Sequence, residues 1–169
     1  MINPETYNLK KEHKSYDRLY CLLIEAPYRI IAIVSIGKGS LCWLGVYLIL
    51  FFILQILILR FLCTHCPHYC KDSEKLYCMY LWGVKKIFRR RPSNPKAIEK
   101  NIVHACYYLV YLFPVYWIWP DILLLVVYFV SIVGFIATLD RYECTRCIYF
   151  DCPNNRVEDN IRESYKKRD

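Results

Sequence analysis

Three long blocks of apolar residues interrupt an otherwise polar chain. Residues 41–62 contain a single charged side chain, Arg60, and residues 102–119 and 122–139 contain none. A helix rises about 1.5 Å per residue, so about 20 residues cross a hydrocarbon core of roughly 30 Å. Arg60 lies near the end of its block, where a long side chain can reach the lipid headgroups. The sequence therefore predicts an integral membrane protein.

A fourth apolar stretch, residues 19–37, is a weaker candidate for a span because it contains Glu25, Pro27 and Arg29. Glu25 and Arg29 are four residues apart and can pair on one face of a helix. Charged groups within a span usually face the interior of a bundle. The stretch is therefore either a first span with an internal ion pair, which we favour, or an amphipathic helix lying on the membrane.

The fold class that follows is all-α, a polytopic bundle of four spans, with three spans and an interfacial N-terminal helix as the fallback. The polar segments around the spans divide the chain into five parts. These are an N-terminal flank over residues 1–18, a first helical hairpin over 19–62, a Cys-rich and basic loop over 63–101, a second hairpin over 102–139, and a Cys-rich tail over 140–169. His13 lies in the flank, and we expect it to be solvated.

The distribution of basic residues predicts which side of the membrane each segment occupies. The loop over residues 63–101 carries nine Lys and Arg against three acidic residues, and the chain as a whole has a net charge of +8. The connections on the opposite side, at residues 37–40 and 119–121, contain only one Lys or Arg, which is Lys38. Lys and Arg accumulate in cytoplasmic loops. The sequence therefore places the loop, the tail and the N-terminal flank in the cytoplasm.

Seven of the ten cysteines form two short clusters, and each cluster directly follows a predicted span. Both clusters open with Cys-x-x-Cys, the spacing that lets two thiolates bind one metal ion. Because two spans separate the clusters, both should face the same side, where a cytoplasmic location keeps thiols reduced and favours metal or redox sites over disulfides. The clusters are Cys63, Cys66, Cys70 and Cys78, and then Cys144, Cys147 and Cys152.

A structural zinc site needs four nitrogen or sulfur ligands in a tetrahedron. In one division of the ligands, Cys63 and Cys66 join Cys144 and Cys147 in a shared site. Cys70, Cys78 and Cys152 then form a second site with His65 or His68, of which we retain His68. In the other division the first cluster binds a metal alone and the second recruits a histidine. An iron–sulfur cluster is the alternative cofactor, but the spacings miss the ferredoxin pattern, so zinc is favoured.

The basic part of the loop is either a juxtamembrane determinant of topology or a segment that recognises lipid headgroups. Residues 76–91 combine aromatic and aliphatic side chains with a run of cations, which is typical of a helix lying in the membrane interface. We do not expect nucleic acid as a partner, because the basic run is short and adjoins apolar residues. The candidate headgroup ligands are Lys85, Lys86, Arg89, Arg90 and Arg91.

The C-terminal tail predicts a short helix. Asn155 is a candidate N-cap, and Glu158, three residues later, is a candidate capping-box partner. Val157, Ile161 and Tyr165 then fall on one face of the helix, which should pack on the cysteine segment or on a partner.

Two classes of function fit these patterns. In the first, one or two zinc sites clasp the ends of the spans, and the protein is a structural or partner-binding membrane subunit. In the second, the cysteines form an iron–sulfur cluster or a redox dithiol for electron transfer. A proton relay or ion transporter is disfavoured because the spans contain so few ionisable residues. A closed site with four thiolates has no open position for chemistry, so we favour a protein that is not an enzyme, whereas a site with three cysteines and a water could act as a Lewis acid.

Overall fold

The chain folds into a helical bundle. The computed structural model describes residues 9–10, 13–69, 74–78, 81–91, 93–150 and 155–167, and within these ranges it contains helices and isolated bridges but no strand. The helices are α1 Ser15–Gly39, α2 Leu41–Phe61, α3 Ala97–Leu112, α4 Val115–Ile118, α5 Ile122–Thr138 and α6 Asp159–Lys166.

Four helical stretches are long and apolar enough to span a membrane, which confirms the four-helix form of the prediction. The first is α1 itself, 25 residues long with a mean hydropathy of 1.7. The second extends α2 to His65, the third runs through α3 and α4, and the fourth extends α5 to Glu143. The uncertain stretch at residues 19–37 is therefore part of a continuous helix of spanning length, in spite of Pro27.

Helix α1 packs against α5, α2 and α4. Its buried residues recur every three or four positions, which places them on a single face of the helix. Two of them are acidic, so the buried stripe is not purely apolar. The stripe consists of Asp17, Cys21, Glu25, Tyr28, Ala32 and Ile36.

Glu25 and Arg29 within the first span are paired, as the sequence predicts. Glu25 is 1% exposed, and its Oε2 lies 2.8 Å from Nη2 of Arg29. The Arg29 guanidinium also lies over the ring of Phe51, 4.5 Å from its centroid. Arg29 thus links the ion pair of α1 to an aromatic side chain of α2, as expected for charges that face the interior of a bundle.

Aromatic side chains fill much of the core between the spans. Tyr28 of α1 packs edge-on against Tyr111 of α3 and also contacts Phe135 of α5. The buried hydroxyl of Tyr128 donates a hydrogen bond of 2.8 Å to the backbone carbonyl of Tyr111. The bond joins α5 to α3. Because the bilayer offers no water to this hydroxyl, leaving it unpaired would be costly.

The turn between α1 and α2 brings backbone against an aromatic ring. A Cβ atom added to Gly39 would lie 2.4 Å from Cδ1 of Trp117 in α4. The Trp117 ring is held in turn by Phe113, with 5.1 Å between the ring centroids, and by Trp43 at 6.0 Å. Gly39 therefore permits the end of α1 to approach α4 closely.

The predicted interfacial helix over residues 76–91 is wrong, because the described residues 74–78 and 81–91 form a non-helical turn. The backbone amide of Lys86 donates to the carbonyl of Glu74, and that of Leu76 donates to the carbonyl of Val84. Gly83 reverses the chain with a φ of +81°, a conformation that glycine adopts without steric cost. The turn buries Leu76 against Leu59 and Tyr69, and this local packing replaces the helix.

Candidate metal centre

Cysteines from both clusters lie at the same end of the bundle. Helix α2 leads into two short 3-10 turns, Cys63–His65 and Pro67–Tyr69, with Cys66 between them. The Cys66 thiol is close enough to Cys78, Cys63 and Cys147 for their charges to act on it. Burial, followed by the neighbouring Cys78, raises the pKa of Cys66 well above its ordinary value. The thiol of the metal-free protein is therefore protonated at neutral pH.

One cysteine of each cluster accepts a backbone hydrogen bond at sulfur. The amide of Tyr149 donates to Sγ of Cys147 at 3.4 Å. The amide of His68 donates to the sulfur of Cys66, and this contact opposes the rise in the pKa of that thiol. In both cases the donor is two residues after the cysteine. An amide aimed at sulfur favours the charged thiolate, the form that binds metals.

Asn155 holds the second cysteine segment in place. Its side-chain Nδ2 donates to the carbonyls of Cys147 at 2.9 Å and Tyr149 at 3.0 Å, while its Oδ1 accepts from the amide of Val157 at 3.0 Å. The predicted role of Asn155 as a helix N-cap is therefore wrong, because these bonds occupy its side chain. The N-cap position of α6 belongs to Glu158 instead.

Helix α6 folds back onto the cysteine segment, in line with one of the two predicted surroundings for the tail. The ring of Tyr165 packs edge-on against Phe150, with 5.5 Å between centroids, and Arg162 lies 5.8 Å from the centroid of the same ring. Val157, just before the helix, is buried. The tail thus supports the loop that carries Cys147.

The N-terminal segment contributes to this end of the bundle, which sequence reasoning missed. The backbone amide of Lys10 donates to the carbonyl of Arg146 at 2.7 Å, in a bridge beside Cys147. The ammonium of Lys10 lies 3.0 Å from Asp17 and 3.1 Å from both carboxylate oxygens of Glu143. Burial alone lowers the pKa of Lys10, but the two carboxylates outweigh it, so the pKa is raised.

His13 is buried at 7% exposure, so the expectation that it is solvated is wrong. Its ring packs against that of His68, with 5.1 Å between centroids, and its Nδ1 lies 3.6 Å from Oδ2 of Asp17. Burial lowers the pKa of His13 more than the nearby carboxylates raise it, so the ring is neutral at pH 7. The spacing of His13 and Asp17, four residues apart around the start of a helix, is a sequence signal that could have indicated this pair.

His65 links the end of the second span to Ser93 and to Glu99 of α3. Its Nδ1 pairs with the carbonyl of Ser93, and its Nε2 lies 3.7 Å from Oε2 of Glu99 in α3. Glu99 also forms an ion pair with Arg91. These contacts fasten the loop to the start of α3, which leaves His68 as the better placed of the two candidate histidine ligands.

The proposed headgroup ligands divide into two groups. Lys85, Arg89 and Arg90 are exposed. Arg91 pairs with Glu99, and the ammonium of Lys86 lies 5.4 Å from the centroid of the Tyr69 ring. The first three are therefore the cations of this set that are most accessible to a membrane surface.

The metal site itself stays a prediction. Among the described residues, no disulfide joins Cys63, Cys66, Cys78, Cys144 and Cys147 to one another. Within the described part of the chain, no group of three or more His, Cys, Asp or Glu side chains is arranged to hold a metal ion. Two predicted ligands, Cys70 and Cys152, lie outside the described residues. The structure thus brings thiols of both clusters together without presenting a complete ligand set.

The chain matches no known protein family, no curated protein and no solved structure at a significant level. Its function is therefore argued from its own residues.

Proposed function

We propose that the protein is an integral membrane subunit in which zinc, bound by cysteines of both clusters, clasps the ends of two spans together. The observation that carries this proposal is the interaction of the Cys66 thiol with Cys63, Cys78 and Cys147. These residues come from the end of α2, the basic loop and the segment after α5. Soft sulfur ligands at Cys-x-x-Cys spacing are typical of structural zinc sites.

Zinc binding would convert these thiols to thiolates. The metal releases the sulfur-bound protons, which overcomes the raised pKa of Cys66. The amides of His68 and Tyr149 would then stabilise the charge on the sulfur atoms that they already contact. Because the described residues contain no complete set, binding requires that Cys70 or Cys152 join the site or that the sulfur atoms draw closer together.

Both divisions of the ligands remain open under this proposal. A shared site uses Cys63 and Cys66 with Cys144 and Cys147, and the proximity of Cys66 to Cys147 supports it. A site within the first cluster uses Cys78, and the proximity of Cys66 to Cys78 supports that. Either site would be closed by thiolates, so its role is to hold elements in place or to present a surface to a partner subunit.

We propose that the thiol-bearing end faces the cytoplasm. The excess of Lys and Arg in the loop over residues 63–101 supports this orientation. The exposed cations Lys85, Arg89 and Arg90 lie in the same loop and are available to anionic headgroups. A cytoplasmic location would keep the cysteines reduced and ready to bind metal.

Elemental analysis of anaerobically purified protein tests the proposal. We expect about one or two zinc ions per chain, with retention lost in Cys66→Ser and Cys147→Ser. Cys42→Ser is the matched control, because Cys42 is an exposed cysteine at the start of α2, away from both clusters. Metal-free wild-type protein under reducing conditions would refute the zinc site.

Electron transfer is the second candidate, favoured by the two Cys-x-x-Cys pairs and by the position of Cys66 within electrostatic range of Cys147. If the same cysteines hold an iron–sulfur cluster, the anaerobic protein should be brown and contain iron and sulfide instead of zinc. A colourless preparation without iron would exclude this form.

A further inference from the structure

A groove at the other end of the bundle has the shape and charges of a lipid site. It lies between the last turns of α1 and the junction of α4 with α5, and its volume is about 960 Å³. This is within the range of about 300–1,000 Å³ that is usual for ligand sites. The lining includes Lys38, Tyr116, Trp117, Trp119 and Asp121.

The groove lies at the depth of lipid headgroups. Its residues belong to the ends of three candidate spans, Ser15–Gly39, Ala97–Ile118 and Ile122–Glu143. Trp and Tyr concentrate at membrane–water interfaces, where a ring contacts apolar groups and its polar edge contacts water. Tyr116 is 79% exposed and Trp119 is 69% exposed. The molecule nearest to these rings in a bilayer is therefore a phospholipid.

One cation and one anion line the same groove. Lys38 is exposed and, within the part of the chain that the structure describes, forms no ion pair. Asp121 is exposed, and its Oδ1 accepts the amide of Leu124 at 3.0 Å as an N-cap. Its Oδ2 has no hydrogen-bond partner among the described residues. The two side chains thus offer one positive and one negative group to a ligand.

We propose that this groove binds the headgroup of a zwitterionic phospholipid. The ammonium of Lys38 pairs with the phosphate. The ammonium of the headgroup pairs with Asp121 and lies against the exposed rings of Tyr116 and Trp119, since aromatic faces attract cations. A phospholipid with an anionic headgroup would bring negative charge against Asp121. The arrangement therefore selects a lipid that carries both charges.

Native mass spectrometry of the full chain in detergent tests this site. The protein is given an equimolar mixture of short-chain phosphatidylethanolamine, phosphatidylcholine and phosphatidylglycerol. We expect the two zwitterionic lipids to be retained more than about fivefold over phosphatidylglycerol, since a cation–aromatic contact of about 1 kcal/mol alone gives that ratio and Asp121 adds to it. Equal retention of the three lipids, or retention of none, would overturn the proposal.

Two variants separate the charges. Asp121→Asn keeps an N-cap residue and removes the negative charge, so the preference for zwitterionic lipids should fall to the part that the aromatic rings supply. Lys38→Gln should weaken retention of all three lipids. Lys166→Gln in α6 is the control, because it removes an exposed cation outside the groove. An unchanged lipid preference in Asp121→Asn would contradict the assignment.

A soluble headgroup compound tests whether the groove binds a bilayer lipid or a soluble molecule. Free glycerophosphoethanolamine carries the same phosphodiester and ammonium charges without acyl chains. If it displaces the lipid at similar concentration, the groove recognises a soluble molecule and the assignment to a bilayer lipid is wrong. We expect no displacement at concentrations that match the lipid.

Discussion

Glu25 and Arg29 form an ion pair of 2.8 Å inside the first spanning helix, and Glu25 is almost fully buried. Removing one partner leaves the other charge buried without compensation. We expect Glu25→Ala to lower the free energy of unfolding in mixed micelles by about 3 kcal/mol. The double variant with Met at both positions 25 and 29 should unfold much closer to wild type, because it removes both charges. If the double variant is less stable than Glu25→Ala, the ion pair stabilises the fold by more than the neutralisation of its two charges.

Lys10 ties the N-terminal segment to the end of the fourth span. Lys10→Met removes the contacts with Asp17 and Glu143. The two carboxylates then lie near each other without the ammonium that lay between them. Since Lys10 is only partly buried, we expect the free energy of unfolding to fall by about 2 kcal/mol. Lys14→Met is the matched control, because Lys14 is exposed and contacts neither carboxylate through its side chain. Equal losses in the two variants would argue against the network.

The same network makes a pH-dependent contribution to stability. The pKa of Lys10 is raised above its ordinary value of 10.5. The folded state therefore holds the proton more tightly than the unfolded state, and this stabilisation is complete below pH 10.5. It is lost as the pH rises through the raised pKa. The difference in unfolding free energy between wild type and Lys10→Met should shrink over that alkaline range, and a constant difference would contradict the assignment.

Gly39 is the point at which α1 approaches the Trp117 ring. Gly39→Ala places a Cβ 2.4 Å from Cδ1 of Trp117, and the ring cannot move freely because Phe113 and Trp43 hold it. Overpacking of this kind costs about 1–3 kcal/mol, measurable as a lower unfolding midpoint. Gly45→Ala is the control, since nothing lies within 4 Å of the added Cβ. It should be neutral or slightly stabilising.

Asn155 supports the cysteine segment through its amide, so its replacement by a carboxylate tests that support. Asn155→Asp aims an acceptor at the carbonyls of Cys147 and Tyr149, where Nδ2 now donates. If the proposed zinc site exists, zinc affinity should fall about 10–100-fold, as for other residues that orient metal ligands. Competition with a chelator measures this. Asn160→Asp, an exposed change in α6, should leave affinity unaltered.

The spans were predictable because lipid imposes one simple requirement on the sequence. Long charge-free runs have few alternatives to a membrane helix, and a pair of opposite charges four residues apart can neutralise itself within one. Residues 76–91 were mispredicted because aromatic and basic composition says little about conformation outside the bilayer. There, Gly83 and the burial of Leu76 decide the path of the chain.

The candidate site was predictable only in part. The two Cys-x-x-Cys pairs, and an even number of spans between them, predict a shared metal site. Cys66 lies within electrostatic range of Cys147, and the shared site itself stays a prediction. The contacts of Lys10 with Glu143 and of His13 with His68 were not predictable, because each joins segments distant in sequence. Asn155 was mispredicted because its amide bonds carbonyls six and eight residues earlier instead of capping the helix. A polar residue in a flank gives no local sign that a distant carboxylate or carbonyl will bury it.

The distance in sequence between Lys10 and Glu143, 133 positions, fixes the order in which this end of the bundle is completed. The chain emerges from the ribosome with its N-terminus first, so Cys63 and Cys66 are made long before Cys147. The contact of Lys10 with Glu143, and the proximity of Cys66 to Cys147, must therefore wait until the fourth helix has been made. A stalled or truncated chain would lack both, although Lys10 could still pair with Asp17. These contacts can therefore form only in a chain whose four spans have all been inserted.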